Sequence, residues 1–176
     1  VNRAHSCIKQ TLTDSELTSF LIAFTDRPAA LQPGIQLKPY LSGSAFSKYY
    51  VFTKTFADYN ATRAGMVFTH VLILKLDDIT IIDSLEEIFI YFVDSVESKS
   101  NNIEEFQAEI SQFKSKAVQK VQPKFIEETI SSIVTGVKPL LFAGDIDTFK
   151  TALQQIWSSP DVLSRKKIKY RASFSN

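Results

Sequence analysis

Phe46-Ser-Lys-Tyr-Tyr-Val-Phe-Thr-Lys-Thr-Phe-Ala-Asp58, and after a turn Met66-Val-Phe-Thr-His-Val-Leu-Ile-Leu-Lys-Leu76, form the stretch that decides the fold. Tyr50, Phe52, Lys54 and Phe56 alternate with Tyr49, Val51, Thr53 and Thr55, so β-branched and aromatic residues occupy both faces at period two. In the second run Phe68, His70, Leu72, Leu74 and Leu76 share a face, with Val67, Thr69, Val71 and Ile73 opposite, the pattern of a strand covered on both sides. Asp58, Asn60 and Gly65 supply turn chemistry between the runs. The expectation is a buried antiparallel pair at the centre of a sheet.

Working outward to the N-terminus, Ser42-Gly-Ser44 reads as a turn into this pair. Residues 35–41 read as a short strand that Pro39 confines to an edge or a bulge. Thr13-Asp-Ser-Glu16 has the form of a capping box with Thr13 as N-cap, and Leu17, Phe20, Leu21 and Phe24 follow at helical spacing. That helix must stop before Pro28, because the residue preceding a proline is driven out of the helical region. Residues 1–10 show no period and read as an irregular entry segment.

Toward the C-terminus, Asp77-Asp78 marks a turn and Asp83-Ser-Leu-Glu86 a helix start with Asp83 as N-cap. The helix should run to about Val93, buried on most sides. Residues 95–102 are polar and read as a connector. Ile103, Phe106, Ile110, Phe113, Ala117 and Val121 form a narrow seam that wants a partner helix, which Pro123 can open with Ile126, Ile130, Ile133, Val134 and Val137 as its stripe. Residues 103–135 are thus expected to be a helical hairpin. Residues 138–143 read as a strand and Gly144-Asp145 as a cap. Ile146, Phe149, Leu153, Ile156 and Trp157 are the stripe of a helix ended by Pro160, and residues 168–174 make a half-buried closing strand with a basic outer face. The whole, residues 1–176, is expected to be one α+β domain with a mainly antiparallel sheet. It has a sheet-centred part over 1–94 and a strand-helix-strand part over 138–176.

Composition narrows the functional classes. At 176 residues with 44% hydrophobic content the chain suits one domain with a substantial core. Twenty basic against nineteen acidic residues leave a net charge of +1, which argues against a general nucleic-acid binder. One cysteine, Cys7, leaves no internal disulfide framework and no cysteine-cluster metal site, as a reducing cytoplasm would favour. No apolar run reaches the roughly 18 to 20 residues needed to span a bilayer.

Few side chains suggest chemistry. His5 and Cys7 could be a base and its thiol, but catalysis also needs hydrogen-bond reach and a third orienting group, so a small buried thiol beside a structural histidine is the simpler reading. His70 lies among apolar neighbours, where a core histidine satisfied by a carbonyl or carboxylate is the plain expectation. Zinc would need three or four ligands that the chain does not group. Asp26, Arg27 and Arg63 fall in loops bordering the central pair, as an ion pair stapling two loops or as part of a polar pocket. Gly144 lacks the spacing and lysine of a phosphate loop. Arg165, Lys166, Lys167, Lys169 and Arg171 read as a solvated strand face. No metal, no cofactor and no catalytic set is expected.

His5, Phe24-Thr-Asp-Arg-Pro28, Pro39-Tyr-Leu-Ser-Gly43, Tyr49-Tyr50 and Arg63-Ala-Gly-Met-Val-Phe-Thr-His70 together resemble the N-terminal domain of the bacterial GTPase-associated protein family. The block from Gly65 to His70 is the most specific part. The similarity is best over residues 1–93, and Trp157 and the Lys166 to Phe174 segment resemble that domain's last elements more loosely. The resemblance implies the front part of a larger multidomain protein, linked to GTPases in bacterial conflict and antiphage systems. It brings no catalytic residues. The expected function is a cytoplasmic, non-catalytic adaptor that binds protein partners, a GTPase encoded nearby among them. The rival is a ligand-sensing or enzymatic domain in which His5, Asp26, Arg63 and His70 converge on one pocket.

Overall fold

The computed structural model describes residues 11–25, 37–61, 65–95, 97, 123–135, 146–158 and 162–171. Several expected features lie outside these residues: the entry segment with His5 and Cys7, the loop with Asp26 and Arg27, Arg63, the first helix of the hairpin, the strand over 138–143, the Gly144-Asp145 cap, Pro160 and the last residues of the closing strand.

The two alternating runs pair as expected. Strand β2, Tyr49–Ala57, runs antiparallel to β3, Val67–Lys75, with Tyr50 opposite Leu74, Phe52 opposite Leu72, Lys54 opposite His70 and Phe56 opposite Phe68. The turn between them is tied by Asp58 N–H to the Met66 carbonyl at 2.9 Å and by Asn60 N–H to the Asp58 carboxylate at 3.2 Å, and Gly65 takes a φ of 82°.

The pair is not at the centre. The sheet order is β3-β2-β1-β4, all antiparallel, so β3 is an edge and the middle is β2 with β1, Tyr40–Phe46. Ser42-Gly-Ser44 is therefore mid-strand. The small residues suggest a turn because they carry no β signal of their own; their neighbours Val51, Phe52 and Thr53 across the ladder supply it. The true turn is Ser47-Lys48, where Ser47 adopts a φ of 52° without the glycine or asparagine such turns favour. Pro39 immediately precedes β1, where a missing N–H does not interrupt the ladder.

Both faces of β2 are covered. Leu41, Tyr50, Phe52 and Leu72 face the main core with Ile79, Ile82, Leu85, Ile88, Phe92, Leu153, Ile156, Trp157 and Ile168. The opposite face mixes Tyr40 and Val51 with small polar residues: Ser42, Ser44, Thr53 and Thr55 are buried there, and the Thr55 and Thr69 hydroxyls bond at 3.0 Å. Helix α1, Ser15–Phe24, reaches this face through Phe20, whose ring stacks on Phe46 at 4.3 Å. Its N-cap is Asp14 rather than Thr13, since the Asp14 carboxylate accepts from Leu17 N–H at 3.0 Å; a carboxylate is the stronger acceptor and sits better at the helix's positive end.

A 3₁₀ turn, Asp78–Ile81, leads to α2, Leu85–Phe89, much shorter than the helix expected up to Val93 and with Ile90 exposed. Asp83 does not cap it. Ser84 holds the N-cap position without a side-chain bond, and Gln154 of α4, Ile146–Trp157, supplies its Oε1 to Leu85 N–H at 2.6 Å. Helix α3, Pro123–Thr135, starts at its proline as expected, and its Ile126 and Ile130 pack against the main core. A second 3₁₀ segment, Val162–Lys167, precedes β4, Tyr170–Arg171, which pairs with β1. The architecture is α+β, with an antiparallel sheet between packed helices.

Candidate functional site

Alternation along β2 and β3 places Lys54 and His70 side by side on the core face, two polar side chains in a row of Tyr50, Phe52, Phe56, Phe68 and Leu72. Burying both is costly unless each finds a partner. The chain after α2 brings one residue, Val93, to both. Val93 N–H donates to His70 Nδ1 at 3.1 Å, and Lys54 Nζ donates to the Val93 carbonyl at 3.0 Å. Phe92, just before, sets its ring edge-on to the imidazole at 5.6 Å.

The electrostatics follow from this packing. Burial lowers the pKa of His70 below its ordinary value, and the neighbouring Lys54 ammonium lowers it further. Burial also lowers that of Lys54, with Asp94 opposing and Lys150 adding to the shift. An imidazole whose Nδ1 accepts from a main-chain N–H is neutral and carries its proton on Nε2. Its Nδ1 lone pair is thus committed to holding backbone.

A second polar cluster joins the C-terminal elements to the turn before α2. Arg165 is 3% exposed, and donates from Nε to the Trp157 carbonyl at 2.7 Å, from Nη1 to the carbonyls of Thr80 and Ile82 at 3.0 and 2.9 Å, and from Nη2 to the Asp83 carboxylate at 2.7 Å. Trp157 Nε1 donates to the Ile82 carbonyl at 2.6 Å and Gln154 Nε2 to the Asp83 carbonyl at 2.7 Å. Arg165 therefore departs from the solvated basic face. Lys166 bonds Asp77 at 2.7 Å, holding that carboxyl below its usual range, and Lys167, Lys169 and Arg171 are exposed.

Of the expected site residues, His70 is the one described, buried on β3 and bonded to main chain; His5, Asp26, Arg27 and Arg63 lie outside the described residues. Lys54, Gln154 and Arg165 went unremarked as interacting groups. Lys54 had a signal, its in-phase position with Tyr50 and Phe52. Gln154 had one too, lying beside Leu153 on the stripe of α4. Two of the three carbonyls that Arg165 binds, those of Thr80 and Ile82, lie far away in the chain, so this part of its role leaves no local trace.

Among the described residues, no three or more His, Cys, Asp or Glu side chains are grouped to hold a metal ion, and no helix is long and apolar enough to cross a membrane. No curated protein and no solved structure matches the chain. One family does, GTPase-associated protein 1, N-terminal domain type 1, over residues 1–92. That stretch holds α1, β1, β2, β3 and α2, and it ends one residue before Val93, whose main chain Lys54 and His70 hold. More than half of the 176 residues being matched, the chain belongs to the family of type 1 N-terminal domains of GTPase-associated protein 1.

Proposed function

We propose that this domain is a non-catalytic adaptor, binding protein partners within a GTPase-linked bacterial antiphage or conflict system, with a GTPase encoded nearby as the first partner to test. The observation that carries this reading is membership of the GTPase-associated family over residues 1–92. It is supported by how the fold uses its polar groups: the buried His70, Gln154 and Arg165 and the half-buried Lys54 all bind main-chain atoms and thereby tie segments to the core. A scaffold requires that rigidity, and a catalytic centre requires instead groups free to meet a substrate. The test is co-expression with the GTPase of the same locus followed by size-exclusion chromatography with light scattering. Co-elution at a fixed stoichiometry is expected. Separate elution from that GTPase and from every other protein of the locus overturns the proposal.

A further inference from the structure

The Lys54, His70 and Val93 arrangement does more than satisfy one buried and one half-buried side chain. Lys54 and His70 are directly opposite each other on β2 and β3, and the peptides on either side of Val93 supply one carbonyl and one N–H to them. The two bonds differ in kind. A lysine ammonium donates over the whole neutral range, whereas His70 accepts only while Nδ1 is unprotonated. We propose that His70 is a proton-operated clasp, holding the chain after α2, residues 90–95, on the sheet when neutral and releasing it when protonated.

The chemistry of release is direct. A proton on Nδ1 turns the acceptor into a donor that faces the Val93 N–H, so an attraction becomes a repulsion between like dipoles. The charged groups around the imidazole make the protonated state still less tolerable in the closed form. Lys54 of β2 stands opposite the imidazole with its ammonium; Lys54 itself feels Lys150 of α4 as a like charge and Asp94 of the clasped segment as the opposing carboxylate. Phe92, which is 5% exposed and packed against both His70 and Phe89, lies on the same segment, so release also loosens an aromatic contact of the core. The proton is favoured by the open form, in which His70 regains its ordinary affinity near pH 6.5. Acid therefore opens the clasp.

The experiment is amide exchange at Val93, read by NMR on the full 176-residue chain between pH 7.5 and pH 5 and corrected for the intrinsic exchange rate. The opening constant is expected to rise by as much as about tenfold for each pH unit below the open-state value of His70. His70→Asn places an amide oxygen near the Nδ1 position without a titrating group, and its corrected Val93 protection should stay level over that range. Corrected protection in the wild type that does not change with pH overturns the proposal, as does a wild-type pH dependence in His70→Asn. Should that variant not fold, nitrogen shifts of His70 in the wild type decide: the Nε2–H tautomer at pH 7.5 is expected, and an Nδ1–H tautomer contradicts the clasp.

Discussion

Gly43 seats the ring of Tyr170 from the neighbouring strand. A Cβ at that position would stand 2.7 Å from the Tyr170 Cζ and 2.9 Å from its hydroxyl, well inside contact distance. Gly43→Ala should therefore force the ring away from its place over β1 and destabilise the domain by about 1–3 kcal/mol, the usual range for overpacking, measurable by urea denaturation. The Tyr170 hydroxyl is buried with no partner among the described residues, and burial raises its pKa. At the same scale, His70 ties stability to pH. Its folded-state pKa lies below the unfolded value of about 6.5, so the unfolded chain binds more protons in the interval between the two. The His70 contribution is complete above about pH 6.5 and is lost as the pH falls through that interval. Urea midpoints collected from pH 8 to pH 5 should be level at first and then decline, and His70→Asn should lessen the decline. Lys54 and His70 show what single positions reveal. Their place on the buried face was legible from alternation, and their shared partner was not, because Val93 reaches them only after α2 has ended early.

Among elements, the clamp between α4, the Val162–Lys167 segment and the turn over residues 80–85 does the work of a helix cap. The N-terminus of α2 has no side-chain cap of its own, and Gln154 provides one from another helix. Arg165 uses its planar fork on three carbonyls and a carboxylate together, a geometry no lysine can match. Arg165→Met should cost about 3 kcal/mol or more, since the buried Trp157 carbonyl and the Asp83 carboxylate lose the guanidinium and the Ile82 carbonyl keeps the Trp157 indole N–H alone of its two donors, and Arg165→Lys should recover little of it. Thermal unfolding of the three proteins checks the order. The apolar stripe of α4 was legible at helical spacing, and so was the proline start of α3. What escaped was polar: Asp83 looked like a cap because of its place before Leu85, yet its carboxylate is taken by Arg165 and its carbonyl by Gln154. Local spacing reports propensity, and here distant hydrogen bonds overrode it.

At the scale of the molecule, the family match stops at residue 92 but the core does not. Leu153, Ile156, Trp157 and Ile168 pack with Leu41, Tyr50, Phe52 and Leu72, the Tyr50 hydroxyl donates to the Ile168 carbonyl at 2.7 Å, and β4 extends the sheet beyond β1. The α+β class and the antiparallel pairing of β2 with β3 were legible because two long runs alternate without interruption. The strand order was not, because the middle of the central partner β1 is Ser42, Gly43 and Ser44, whose burial is decided by what lies across from them. The central claim is that elements on both sides of residue 92 form one cooperative core, on which the proposed docking role would depend. Trp157 is the chain's one tryptophan, completely buried and set edge-on to Tyr50 at 5.5 Å, so its emission reports the seating of α4 on the sheet. A single urea titration following Trp157 fluorescence together with the infrared band of the sheet tests the claim most directly. The account predicts coincident midpoints for the two signals; a tryptophan transition completed at lower urea, with the sheet band still intact, would contradict it.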